Sequence, residues 1–136
     1  MAQAYPNSRF TGYEFREKAV DEARTKAESL GLTNVRFVSK DVTTMEETGA
    51  YDLVVAFDVI HDQAKPRVVL TNVATALKPD GTFLMVDIKA SSDVHENLDH
   101  PFGPFLYATS TMHCMTVSRA LTLTVLVITP VAWGAA

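Results

Sequence analysis

Glu14, Asp41 and Asp58 are the residues of this chain whose type and spacing suggest chemistry. Each closes or follows a short apolar segment, and the first two stand twenty-seven residues apart. A carboxylate at the end of a strand can accept both hydroxyls of a ribose. Three such acids in order suggest a nucleoside lying across several strands, with carboxylates reading its ribose, its exocyclic amine and an ammonium group. Taken singly, each also suits plain strand-end solvation or capping. His61 beside Asp62 is a candidate proton acceptor for an attacking hydroxyl. The same pair equally suits the cap of the helix that follows. No metal site is expected: His95 and His100 lack tight ligand spacing, and adjacent His113 and Cys114 cannot both face one ion from regular structure.

The elements that must position these groups can be read from the pattern. The stretch YDLVVAFDVIHD, 51–62, organises the rest. Its apolar run, 53–57, reads as a strand buried on both faces, entered by one acid and left by another. Residues 8–15 (SRFTGYEF) predict a short strand ending at Glu14, and 17–30 a helix with Val20, Ala23, Ala27 and Leu30 on one stripe. Gly31 supplies its left-handed stop. Residues 34–39 predict a strand leading into Asp41. A second helix, 65–77, carries Val69, Leu70, Val73, Ala76 and Leu77, with Pro66 in its first turn. Lys78, Pro79, Asp80 and Gly81 signal a turn before a strand over 82–88.

Helices alternating with apolar strands imply right-handed crossovers and a doubly wound, mainly parallel α/β sheet. Ligands of such sheets sit beyond the carboxyl ends of the strands, where Asp58, His61 and Asp62 fall. Residues 91–115 show no clear period and are expected to drape over that edge as a lid or substrate wall.

Composition excludes several classes. A chain of 136 residues suits one core, and a net charge of −4 from well-mixed signs disfavours nucleic acid or an anionic membrane as partner. A single cysteine allows no internal disulfide, and the amino terminus lacks a signal-peptide pattern, so a cytoplasmic location is expected. All sixteen acids lie at or before Asp99, and only Arg119 carries a full charge after it. The uncharged, β-branched stretch from Ala120 to Trp133 is interrupted by Pro130 and reaches only the lower limit of a membrane span, which is not expected.

GYEF, the strand-end SKDV, YDLVVAFDVIHD and LKPDGTFLMVD, in this order, resemble class I S-adenosylmethionine-dependent methyltransferases over residues 8–118. The segment HENLDHPFGPFLYATSTMHCMTVS is similar to part of a small-molecule subgroup of that family. The resemblance implies a Rossmann-like sheet, S-adenosylmethionine as cofactor and a small-molecule methyl acceptor. It assigns Glu14 to the ribose, Phe15 to the adenine face, Asp41 with the Val42 backbone to the adenine edge, and Asp58 to the methionine end, with His61 as base. It divides the chain into a partial cofactor-binding domain at 1–90, a lid at 91–118 and an atypical tail at 119–136.

Two departures accompany it. The family's first strand and its GxGxG loop, whose glycines let backbone N–H groups approach the cofactor, are absent, so the sheet is expected to be incomplete. Arg16 also stands where a small capping residue is usual. The tail is the second departure, and a truncated or frame-shifted product would account for both. One use for residues 121–128 is the vacant central place beside the Glu14 strand. The competing readings are a non-catalytic remnant or interaction piece, and a nicotinamide-dependent dehydrogenase, against which Asp41-Val42 and LKPDG argue.

Overall fold

A computed structural model describes residues 1–91 and 93–116, and the backbone of a two-residue strand at 125–126. The first unit runs β1 (Phe10–Glu14), α1 (Glu17–Ser29), β2 (Val35–Ser39), and its strands pair in parallel from Phe10↔Val35 to Glu14↔Ser39. The second runs β3 (Tyr51–Phe57), α2 (Pro66–Ala76), β4 (Leu77–Val86), again with a parallel ladder. Strand order is β2-β1-β5 in one sheet and β3-β4 in the other, where β5 is Val125–Leu126. Both crossovers are helical, as the alternation of strand and helix patterns requires.

Among the described residues β1 and β3 share no ladder, which agrees with an incomplete sheet. The other edge of β1 is met by β5, antiparallel, at Tyr13↔Leu126 and Glu14↔Val125. The remainder of the expected tail, 127–136, and residues 117–124 lie outside the described residues.

Arg16, in extended backbone, precedes α1 and makes no side-chain cap bond. Gly31, at φ +64°, ends it: its N–H donates to the Glu28 carbonyl and the Leu32 N–H to that of Ala27. Val20 and Ala27 are buried as expected, whereas Leu30 is exposed, because the stop begins there and turns its side chain off the stripe. In α2, Val69, Val73 and Ala76 are buried and Leu70, one position off that line, is exposed. Consecutive burial of Val54, Val55 and Ala56 identifies β3 as the strand covered on both faces. The core gathers Tyr13, Val42, Met45, Val54, Ala56, Ile60, Val69, Val73 and Ala76, so both units feed one interior.

Two expectations need correction. The turn over 78–81 lies within β4: Leu77 pairs with Tyr51 and the next pair is Leu53↔Thr82, so the extra residues form a bulge inside the strand. Strand hydrogen bonding on either side outweighs the local turn chemistry. Residues 91–115 are also more regular than their pattern suggests, forming α3 (Gly103–Thr109), continued by a π-helical stretch, Ser110–Cys114. Phe105, Tyr107 and Met112 are exposed on this helix, so no buried stripe marks it in the sequence. Among the described residues, no helix is long and apolar enough to cross a membrane.

Candidate active site at the carboxyl edge

Every strand of the two parallel pairs delivers an acid to its own carboxyl end. Glu14 is the last residue of β1, Asp41 lies two past β2, and Asp58 and Asp87 directly follow β3 and β4. Within each pair the parallel ladder puts both acids at one end. Carboxylates at strand ends suit a ligand rich in hydrogen-bond donors: hydroxyls, an amine, an ammonium.

Glu14 is only 8% exposed. Its Oε1 accepts from the Arg16 backbone N–H at 3.0 Å and from Arg16 Nε at 2.9 Å. The hydrogen bond and charge of Glu14 push the Arg16 guanidinium above its ordinary range. Arg16 also stands over the Phe15 ring, 5.9 Å from its centroid, a cation–π contact. The residue in the helix-capping place is thus folded back over two candidate ligand-binding side chains. Both its bonds to Glu14 fall on one oxygen, so Oε2 is not engaged by Arg16.

Asp41 precedes a single 3₁₀ turn, Val42–Thr44, and its Oδ1 accepts from the Thr43 N–H at 2.8 Å. Val42 is fully buried, and its carbonyl accepts from Asn72 Nδ2 at 2.9 Å, which locks the turn to α2. Asp58 is exposed and sits at φ +46°, a left-handed conformation uncommon outside glycine but favoured, among other residues, by asparagine and aspartate. Such a conformation is found disproportionately at functional sites.

His61 Nδ1 lies 2.5 Å from Asp87 Oδ1, and the His61 backbone N–H reaches Asp87 Oδ2 at 3.4 Å. His61 Nε2 faces Asp62 Oδ1 at 3.4 Å. α2 instead begins after Lys65, with no side-chain cap bond, so His61 and Asp62 do not cap it. Asp87 was not singled out by the sequence, although the signal was present: it follows an apolar strand just as Asp58 does. Cys114 comes in from the stretch after α3. Burial, a hydrogen bond to Asp62 and the charges of Asp62 and Asp87 push its thiol above its ordinary range. A contact spanning more than fifty residues has no local signature.

The segment before α3 is organised by Asn97, which is buried. Its Nδ2 donates to the carbonyls of Ser91 at 2.8 Å and Asp93 at 3.0 Å and to the Tyr107 hydroxyl at 2.9 Å. At the opposite, amino end of the strands lies an open cavity of about 1260 Å³, whose lining includes Arg9, Phe10, Asn34, Arg36 and Asp52. The four strand-end acids, the positive-φ Asp58 among them, and His61 lie at the carboxyl ends instead. The candidate site is accordingly drawn at the carboxyl ends of the strands.

A family model described as "Methyltransferase domain" matches residues 1–122. A probable (S)-tetrahydroprotoberberine N-methyltransferase 2 from Papaver bracteatum is 28% identical over 102 residues, which are 75% of this chain and 27% of that protein. Among solved structures, the YcgJ protein of Bacillus subtilis is 26% identical with a TM-score of 0.64, covering 71% of this chain and 42% of that one. A Bacillus halodurans C-125 protein gives a TM-score of 0.66 at 18% identity, covering 83% and 48%, a likeness of fold. The chain thus spans about a quarter of that curated relative and under half of these two solved structures.

Proposed function

The chain belongs to the methyltransferase-domain family, and we propose that it takes part in S-adenosylmethionine-dependent methyl transfer to a small-molecule acceptor. The observation that carries this reading is the set of strand-end acids, Glu14 and Asp41 on one parallel pair and Asp58 and Asp87 on the other. The donor set of S-adenosylmethionine, two ribose hydroxyls, an exocyclic amine and an ammonium, fits those acids.

In this reading Glu14 holds the ribose hydroxyls, Phe15 packs on the adenine, Asp41 and the Val42 backbone take the adenine edge, and Asp58 the methionine end. The cofactor, when bound, supplies an electrophilic methyl group on a sulfonium. The chain itself contributes positioning and a proton acceptor. With the proton of His61 on Nδ1, that N–H donates to Asp87, and Nε2 is left with a lone pair for a hydroxyl proton of the acceptor. Asp87 then stabilises the imidazolium. Residues 91–118 would wall the acceptor pocket, supported by the approach of Cys114 to Asp62. A cytoplasmic setting belongs to the same reading, supported by the single cysteine.

Thermal unfolding of the purified chain with and without S-adenosylhomocysteine tests this. A ligand at about one hundred times its Kd stabilises a native state by ~2.7 kcal/mol, so the midpoint should rise by several degrees. It should rise much less in Glu14→Gln. A cooperative transition that the ligand leaves unmoved would overturn cofactor binding by this chain.

A further inference from the structure

His61, Asp62 and Cys114 each offer one ligand atom, and these three atoms all lie within 4.8 Å of one another. Nitrogen, carboxylate oxygen and sulfur together form a donor set that suits a borderline cation rather than calcium or magnesium. Tetrahedral zinc, with bonds of about 2.0–2.3 Å, holds its ligand atoms roughly 3.3–3.8 Å apart. His61 Nε2 and Asp62 Oδ1, at 3.4 Å, already stand at that spacing. The same distance is too long for a good N–H···O hydrogen bond, whose usual range is about 2.7–3.2 Å. Asp62 Oδ1 is buried and, among the described residues, has no close hydrogen-bond partner of its own.

A second arrangement points the same way. Metal-bound imidazoles almost always present their other ring nitrogen to a carboxylate or carbonyl, which fixes the ring. Here Asp87 Oδ1 meets His61 Nδ1 at 2.5 Å, so Nε2 is the nitrogen turned toward Asp62. Two carboxylates near Cys114 also supply negative charge that a dication would neutralise.

We propose that His61 Nε2, Asp62 and Cys114 Sγ form a binding site for a divalent transition cation of the zinc class, with a fourth position open to water. Binding deprotonates the Cys114 thiol: the S–H bond breaks, an S–metal bond forms, and the proton leaves to solvent. The site goes beyond methyl transfer and does not depend on it. Because Nε2 serves either a cation or an acceptor proton, a bound cation takes His61 out of proton transfer.

Cobalt(II) is the probe, titrated into the full chain under anaerobic, non-chelating conditions. The expected result is one equivalent bound, with the visible bands of a four-coordinate ion and a near-ultraviolet sulfur-to-cobalt charge-transfer band, both displaced by zinc. Cys114→Ser should lose the charge-transfer band, and Asp62→Asn should weaken binding at least tenfold. His95→Asn, away from the cluster, should behave as the parent chain. Circular dichroism confirms that each variant is folded. Cobalt bound without a charge-transfer band, half an equivalent shared between two chains, or unchanged affinity in Asp62→Asn would each overturn the proposal.

Discussion

The hydroxyl of Tyr13, in β1, lies 2.5 Å from that of Tyr51, in β3. Tyr13 also donates to Glu47 Oε1 at 2.7 Å, and Lys40 Nζ reaches Glu47 Oε2 at 3.3 Å. Where the two parallel units share no ladder among the described residues, this half-buried polar cluster joins them.

Tyr13→Phe keeps the ring in the core and removes the hydroxyl from both partners. The expected loss is about 1–2 kcal/mol, since Glu47 and Tyr51 are left short of a partner in a partly desolvated place. Urea unfolding of parent and variant measures it. An unchanged midpoint would mean that apolar contact alone joins the units.

The same cluster should make stability fall in alkali. Burial, then the hydrogen bonds with Tyr51 and Glu47 and the charge of Glu47, push the Tyr13 phenol far above its ordinary range. A raised folded-state value favours the neutral phenol, so its contribution is complete below the unfolded value of about 10 and is lost progressively as pH rises above it. Unfolding midpoints measured across pH 8 to 11 should fall more steeply at the alkaline end in the parent chain than in Tyr13→Phe.

Acid should act on Glu47 in the opposite sense. Burial alone would raise its carboxyl, but hydrogen bonds from Tyr13, its own backbone and Lys40, and the Lys40 charge, hold it below the ordinary range. Its contribution is present above the unfolded value of about 4.3 and is lost as pH falls through the lower folded value. Glu47→Gln should flatten the acid limb of the same stability curve.

Asp87→Asn tests the orientation of His61. The carboxylate that accepts from Nδ1 is replaced by an amide of equal size, so the fold should be kept while the ring loses its fixed tautomer. Proton NMR should show a strongly downfield Nδ1–H resonance in the parent chain and none in the variant. Once an acceptor is in hand, kcat should drop on the order of 100-fold with little change in KM.

Gly81→Ala tests the bulge of β4. A Cβ there would stand 2.9 Å from the Tyr51 carbonyl oxygen and 3.0 Å from that of Lys78, both backbone atoms that cannot swing aside. The expected cost is about 1–3 kcal/mol. Equal stability of parent and variant would show that the bulge can relax.

Much of the fold was legible because it rests on local periodicity. The run 54–56, Val20 and Ala27 of α1, and Val69, Val73 and Ala76 of α2 carry their burial in their spacing, and Gly31 carries its backbone conformation in its type. The rim of acids was legible for the same reason, since strand ends can be counted. Asp87 belonged to that rim and was overlooked. The approach of Cys114 to Asp62, the hold of Arg16 on Glu14 and Phe15, and the phenol pair of Tyr13 and Tyr51 depend on tertiary placement. The bulge at 78–81 was misread as a turn because Lys-Pro-Asp-Gly has the same local chemistry in either setting.

Two ladders without a shared one have a consequence for how the chain opens. Hydrogen bonds of β1 with β2 can break without disturbing those of β3 with β4, because no amide of either pair is donated across the gap among the described residues. Amide exchange should then report two protected blocks, 10–14 with 35–39 and 51–57 with 77–86, which the ladders alone would leave free to open separately. Side chains, chiefly the Tyr13-centred core, are what make the blocks open together. A core mutation at Tyr13 would therefore show itself first as a loss of synchrony between blocks, before either block lost its own protection.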